Sequence, residues 1–254
     1  MPKDPLRAVI LDNDETTGSY RIVYSLLKAI KIYDDIDILL FYYIFQRLSI
    51  WMIKESIFRP NLVEFLRTLV KLKKENKIDA IIMYTNQYEK NTHITSSLPR
   101  CIEYMFTFLV PEFKFDHILT RPNNPTVINN VYVKQFKRVL DLYPDRPLDN
   151  TQILFFDDLA VPLYIKTDGI EVTSESSRVL VEPYVSILYK EDIQRCIEFC
   201  IDDMADSESF LNSVIKYYIN NSTEFNILNI PMSCSYFIEL VNEKYDIDGV
   251  KNIN

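Results

Sequence analysis

Ten consecutive residues, Ala8-Val9-Ile10-Leu11-Asp12-Asn13-Asp14-Glu15-Thr16-Thr17, concentrate the chemistry of this 254-residue chain. Four apolar residues lead directly into two aspartates one apart. The run reads as a buried parallel strand. Alternation along an extended backbone then points Asp12 and Asp14 the same way from its carboxyl end. Carboxylates held that close repel each other unless a cation or a shared proton joins them. The pair therefore suits a Mg²⁺ site in which one carboxylate is a nucleophile and the other an acid/base. A strand followed by an Asx turn at Asn13-Asp14 is the purely structural alternative.

Two more apolar runs end in the same manner. Asp79-Ala80-Ile81-Ile82-Met83-Tyr84 leads into Thr85-Asn86, and Thr151-Gln152-Ile153-Leu154-Phe155-Phe156 leads into Asp157-Asp158. In a doubly wound sheet the carboxyl ends of the strands gather at one edge, and ligands bind there. Four carboxylates in one crevice are very unfavourable without a divalent cation, and oxygen-only ligands select Mg²⁺ over Zn²⁺. Lys134, read as lying on a helix from Tyr132 to Tyr143 near the same edge, can offset the remaining charge and hold a phosphate oxygen. Taken alone, it would be a solvated helix lysine.

The elements that must place these groups alternate between strand and helix. Tyr20 to Lys54 reads as two helices separated by Tyr33-Asp34-Asp35, the second apolar nearly all round from Leu39 to Phe45. Such a helix must be buried on several sides or covered by a partner. Pro60 suits the first turn of a third helix. That helix carries Leu62, Phe65, Leu66, Leu69 and Leu72, with Lys71, Lys73, Lys74 and Lys77 complementing the dipole at its end. Phe115 to Leu119 reads as a short strand, Arg121 to Asn130 as loop, and Ile170 to Thr173 with Arg178 to Val181 as a further strand and its exit. From about Tyr189 the chain is helical. The pattern predicts an α/β fold, a doubly wound, Rossmann-like parallel sheet with a helical insert after the first strand. The expected domains are a core over 1–185, with the insert at about 20–57, and a helical C-terminal extension over 186–254 packed on it.

Composition excludes other classes. The net charge of −8 argues against non-specific nucleic-acid binding. Three glycines, Gly18, Gly169 and Gly249, leave no Gly-rich phosphate loop. Cys196 and Cys200 lie one helical turn apart, but neither the other cysteines (Cys101, Cys234) nor the two histidines (His93, His117) complete a zinc site. Structural thiols in a reduced intracellular chain are expected. The N-terminus has no apolar signal core, and Ile36 to Met52 is interrupted by Asp37, Gln46 and Arg47 and falls short of a membrane span.

Asp12-Asn13-Asp14-Glu15-Thr16, Thr85, Lys134 and Asp157-Asp158 together resemble the four motifs of the haloacid dehalogenase superfamily of phosphatases. The Asp-Glu-Thr sequence, Arg59-Pro60 with Glu64-Phe65-Leu66, Tyr132-Val133-Lys134, and Asp157-Asp158 followed by Pro162 resemble its FCP/SCP branch, the phosphatases of the RNA polymerase II C-terminal domain. The resemblance covers Ala8 to about Pro183 in the right order. It implies that Asp12 attacks phosphorus and that Asp14 protonates the leaving oxygen and then activates water. Thr85, Asn86 and Lys134 would bind the phosphoryl group. Asp12, the Asp14 carbonyl, Asp157 and Asp158 would surround Mg²⁺, one of the last two orienting Lys134. It implies a phosphoserine or phosphothreonine protein or peptide as substrate, and no membrane partner.

The chain departs from that branch in places. Thr17 and Gln135 replace an apolar residue and an acid. The helical stretch from Tyr20 to Lys54 stands where the branch carries a β-rich insert that helps read the peptide. Ile187 to Asn254 has no counterpart. Two alternatives stay open: a polynucleotide 3′-phosphatase or small-metabolite phosphatase, suggested by Thr85-Asn86-Gln87, and a catalytically silent interaction module. The oligomeric state is left open by the sequence.

Overall fold

A computed structural model describes residues 4–31, 37–88, 93–123, 125, 127–128, 131–132, 134–146, 151–158, 177–184, 188–201, 207–220 and 233–245. The expected strand at Ile170 to Thr173, and Pro162, lie outside these residues.

Five strands form one parallel sheet: β1 (Arg7–Leu11), β2 (Ala80–Tyr88), β3 (His117–Arg121), β6 (Gln152–Asp157) and β7 (Ser177–Leu180), in the order β3-β2-β1-β6-β7. A separate antiparallel pair joins β4 (Val127–Ile128), within the stretch read as loop, to β5 (Val131–Tyr132) just after it. From β1 the sheet grows through β2 and β3 on one side and through β6 and β7 on the other. The β1/β6 boundary is therefore the topological switch point, where the crevice outside the carboxyl ends accepts ligands in this class of sheet.

The strands are apolar on both faces because both are covered. Val9, Leu11, Ile81, Met83, Leu154 and Phe156 join the larger core. That core lies under α1 (Arg21–Ile30), α2 (Ile38–Lys54), α3 (Leu62–Lys74) and α4 (Leu98–Leu109). Ala8, Ile10, Ala80, Ile82, Tyr84, Ile153 and Phe155 form a smaller core on the opposite face, closed by Phe136 and Val139 around the single-turn α5 (Lys137–Leu140).

The helices start where local chemistry allows. The Asp37 carboxylate caps α2 by accepting from Leu39 N and Leu40 N, at 2.7 and 2.8 Å. Ser97 caps α4 with Pro99 in its first turn. Pro60 falls outside the first turn that its ring geometry favours. Asn61 takes a left-handed backbone conformation (φ 63°) ahead of Leu62, so α3 begins after the turn and not at the proline. The lysines near its end have specific partners: Lys73 pairs with Asp116 and Lys74 with Glu112.

The apolar α2 is buried against α4 on one flank and against α6 (Lys190–Cys200) on another. Leu39, Tyr43, Ile50 and Ile53 remain exposed along it. α7 (Ser207–Asn220) packs on α1, and α8 (Cys234–Tyr245) on α3. The described part of the C-terminal region joins the same apolar cluster as the sheet. Phe237 of α8 stacks on Phe156 of β6 with ring centres 4.6 Å apart, and Tyr245 Oη donates to the Ala8 carbonyl at 2.9 Å. No helix among the described residues is long and apolar enough to cross a membrane.

Candidate active site

The register of β1 on β6 sets the centre of the site. Leu11 lies opposite Phe156, and Asp12 N donates to the Phe156 carbonyl at 2.9 Å, so Asp12 is level with Asp157 one step beyond. Alternation places both side chains on the face of Ile10 and Phe155, the face α5 covers. Lys134 reaches them from the segment just before α5. Its Nζ stands 3.0 Å from Asp12 Oδ1 and 3.3 Å from Asp157 Oδ2, over the Phe155 ring at 5.3 Å. Asp12, Asp157 and Lys134 are each no more than 5% exposed. Asp158 completes the group: one carboxylate oxygen from each of Asp12, Asp157 and Asp158 lies within 4.8 Å of the others.

The helix expected from Tyr132 does not form there. Tyr132 ends β5, Lys134 lies in the connection after it, and helical structure starts at Lys137. The Tyr84 hydroxyl explains the delay. It accepts from Gln135 N at 2.8 Å and donates to the Gln135 carbonyl at 3.2 Å, tying Gln135 to β2, while the same carbonyl also accepts from Arg138 N at 3.1 Å where the helical turn begins. The resulting non-helical approach directs Lys134 inward.

After Asp12 the chain leaves the sheet. The Asn13 carbonyl accepts from Thr16 N and Thr17 N, and Glu15 takes a positive φ of 62°. Asp14 therefore sits in a tight loop before α1, near the Tyr20 backbone N–H and Arg21, which both favour its charged form. Its side chain adds no oxygen to the three-carboxylate cluster; the contribution expected of Asp14 there is its carbonyl. Gly18 closes this loop against the segment before α3. A Cβ at Gly18 would stand 3.1 Å from Phe58 Cδ1 and 3.2 Å from the Ile57 carbonyl oxygen, so a side chain there would press its neighbours back by a few tenths of an ångström.

β2 runs on to Tyr88, past the expected ending at Thr85-Asn86; Thr85 is buried within it, and its Oγ1 accepts from Gln87 N at 3.2 Å. By alternation it shares the face of Ile81 and Met83, whose side chains join the larger core, and no hydrogen bond joins it to the aspartates among the described residues. Asn86 Nδ2 donates to the Tyr132 carbonyl at 3.2 Å and so ties β2 to the approach to Lys134.

Burial dominates the electrostatics. It pushes Asp12 from 3.8 up to about 7; Lys134 opposes the rise, and the charges of Asp157 and Asp158 add to it. Asp14 rises to about 6, first by burial and then by the charge of Asp12. Asp158 rises to about 6 by burial and by Asp157. Burial alone would lower Lys134, but Asp12 and Asp157 overcome it and hold its ammonium above the ordinary 10.5.

Asp12 Oδ1 and Lys134 Nζ are buried atoms, and neither completes a well-directed hydrogen bond; the Asn13 amide is buried and unsatisfied as well. Three desolvated carboxylates with a single ammonium beside them leave an excess of negative charge, which fits a hard divalent cation such as Mg²⁺.

The sequence missed the role of Thr16. Its Oγ1 donates to Asp158 Oδ1 and accepts from Asp158 N, both at 3.1 Å, locking β6's exit to the β1 loop. It also gave no function to Arg59, a 1%-exposed arginine whose signal was a charged residue set between Phe58 and an apolar helix. Comparison with protein-family models, with curated proteins and with solved structures finds no match for this chain.

Proposed function

We propose that this protein is a Mg²⁺-dependent phosphomonoester hydrolase of the haloacid dehalogenase type, working through an aspartyl-phosphate. One observation carries the reading: Asp12, Asp157 and Asp158 converge within 4.8 Å at the switch point of a parallel sheet, with Lys134 paired to two of them. Asp12, Asp157 and Asp158 would hold the metal, with the Asp14 carbonyl beside them. Bound there, Mg²⁺ supplies charge neutralisation for a phosphate dianion entering an acidic pocket.

The chain's own groups supply the rest. An Asp12 carboxylate oxygen attacks phosphorus while the bond from phosphorus to the ester oxygen breaks, and Asp14 gives its proton to that leaving oxygen. The raised value of Asp14 suits a carboxyl that keeps a proton to donate. The rise at Asp12 belongs to the metal-free site, and a cation bound there would favour the carboxylate form that attacks. Asp14 then takes a proton from the water that attacks phosphorus, which releases phosphate and restores Asp12. Lys134 balances charge on Asp12 and on the transferring group. The resemblance would have Thr85 and Asn86 bind the phosphoryl group; their own bonds are to Gln87 N and to the Tyr132 carbonyl.

Phosphoserine or phosphothreonine in a protein is the substrate class favoured by the resemblance at Asp12–Thr16 and Arg59-Pro60. The test is turnover of p-nitrophenyl phosphate with Mg²⁺, then of phosphopeptides, 3′-phosphorylated oligonucleotides and sugar phosphates. Asp12→Asn should abolish every activity found and leave the circular dichroism spectrum unchanged. A folded Asp12→Asn protein that still turns over would overturn the assignment.

A further inference from the structure

The loop from Asn13 to Gly18 carries Asp14, and its turn geometry alone does not fix it to the rest of the site. Its outer side is held by Arg59. The Arg59 backbone N donates to the Thr17 carbonyl at 2.9 Å, and Ser19 N donates to the Ile57 carbonyl at 3.0 Å. The Arg59 side chain does more. Nε donates to the Thr16 carbonyl at 2.6 Å, and Nη2 donates to the carbonyls of Glu15 at 2.9 Å and Glu182 at 2.6 Å. The guanidinium lies near two aromatic rings, 5.3 Å from the centre of Tyr184 and 5.4 Å from that of Phe237. Tyr184 N donates to the same Glu15 carbonyl at 2.6 Å.

These contacts link the loop to distant parts of the chain. Phe237 belongs to α8 and packs on Phe65 of α3 and on Phe156, the residue before Asp157. Cys234 N donates to the Pro60 carbonyl at 2.9 Å, and Asn61 Nδ2 donates to the hydroxyls of Ser233 and Ser235. The C-terminal helix thus backs the arginine that grips the Asp14 loop. A planar fork of fixed donors bridges carbonyls from two segments in one set geometry; a lysine, with three rotatable donors on a flexible stem, does not hold that geometry.

We infer that Arg59 is a positioning residue: with Phe237 of α8 behind it, its guanidinium grips the Glu15 and Thr16 carbonyls of the loop from Asn13 to Gly18 and so sets Asp14 relative to Asp12. This inference rests on the proposed roles of Asp12 and Asp14.

The test compares wild type, Arg59→Lys and Phe237→Leu by steady-state kinetics on p-nitrophenyl phosphate with Mg²⁺, and by hydrogen exchange of the backbone amides. A misplacement of about 1 Å costs up to roughly 10²-fold in rate. Arg59→Lys should therefore lower kcat about 10–100-fold with KM within about threefold, below its melting temperature. The amides of Glu15, Thr16, Thr17 and Ser19 should exchange faster while those of β1 and β6 stay protected. Phe237→Leu should shift the same amides and kcat in the same direction by less. A folded Arg59→Lys protein with wild-type kcat and unchanged loop exchange would overturn the inference. If Arg59→Lys does not fold, unchanged loop exchange and kcat in Phe237→Leu overturn it instead. If wild type turns over no phosphate ester, the proposed function fails, and the exchange pattern still decides whether Arg59 holds the loop.

Discussion

Replacing Asp12 by asparagine should abolish the proposed phosphatase activity and strengthen the fold. Burial raises the Asp12 carboxyl from 3.8 to about 7, so in the metal-free protein the folded state binds its proton more tightly than the unfolded chain does. The sign follows from linkage. Stability contributed by the protonated form is fully present below the unfolded value and is lost as pH rises through the folded one. Above about pH 7 the folded protein carries the whole cost, roughly three pH units at roughly 1.36 kcal/mol each, or about 4 kcal/mol at most. Asparagine is close in shape to the protonated acid and carries no such cost. Lys134 is also paired with Asp157 at 3.3 Å, so losing the Asp12 charge does not strip its ammonium of every carboxylate.

Urea unfolding with a chelator present, at about pH 8 and about pH 4, measures the difference directly. Asp12→Asn should exceed wild type by about 2–4 kcal/mol at the higher pH, a melting shift on the order of 5–15 °C. The gap should close as pH falls from about 7 to about 4. Saturating Mg²⁺ should stabilise wild type and narrow the gap, because binding to the folded state adds RT ln(1 + [L]/Kd). A variant less stable than wild type at the higher pH without metal, or a gap independent of pH, would refute the claim that a desolvated carboxylate sits at the centre of this site.

The same geometry sets three more outcomes. A chelator should abolish phosphatase activity; Mg²⁺ should restore it, while Ca²⁺, with its longer bonds and looser coordination, should not, as a metal add-back assay would show. Asp14 rises to about 6, so kcat/KM for an alkyl phosphate should fall as pH climbs past about 6, where the acid loses its proton. An aryl phosphate, whose leaving group needs little protonation, should show a flatter descent in parallel pH–rate profiles. Gly18→Ala forces a methyl against Phe58 and the Ile57 carbonyl; it should cost about 1–3 kcal/mol in urea unfolding and lower kcat by moving the Asp14 loop.

Residue order alone was enough to locate the strands that carry the site and to assign the α/β class. Apolar runs are readable because a strand buried on both faces stays apolar until polar residues begin: β1 ends at Leu11 before Asp12, while β6 takes in Asp157 and β2 runs past Thr85 to Tyr88. The alternation of strand and helix was enough for a parallel sheet, since parallel neighbours need a crossover between them. Local patterns failed where a distant group decided the backbone. Lys134 read as helical because nothing nearby in sequence announces Tyr84, whose hydroxyl holds Gln135 out of the helix. Asp14 looked like a continuation of the strand, but the turn at Asn13 and the grip of Arg59 take it into a loop. The tail had no legible partner, because an amphipathic helix says only that it will bury a face and not which surface will cover it. Folding put α8 against α3 and Phe237 behind Arg59. Types and spacings along a chain fix which groups are present and which elements form; the distances among Asp12, Asp157, Asp158 and Lys134 come from strand register and loop anchoring, which only long-range packing sets.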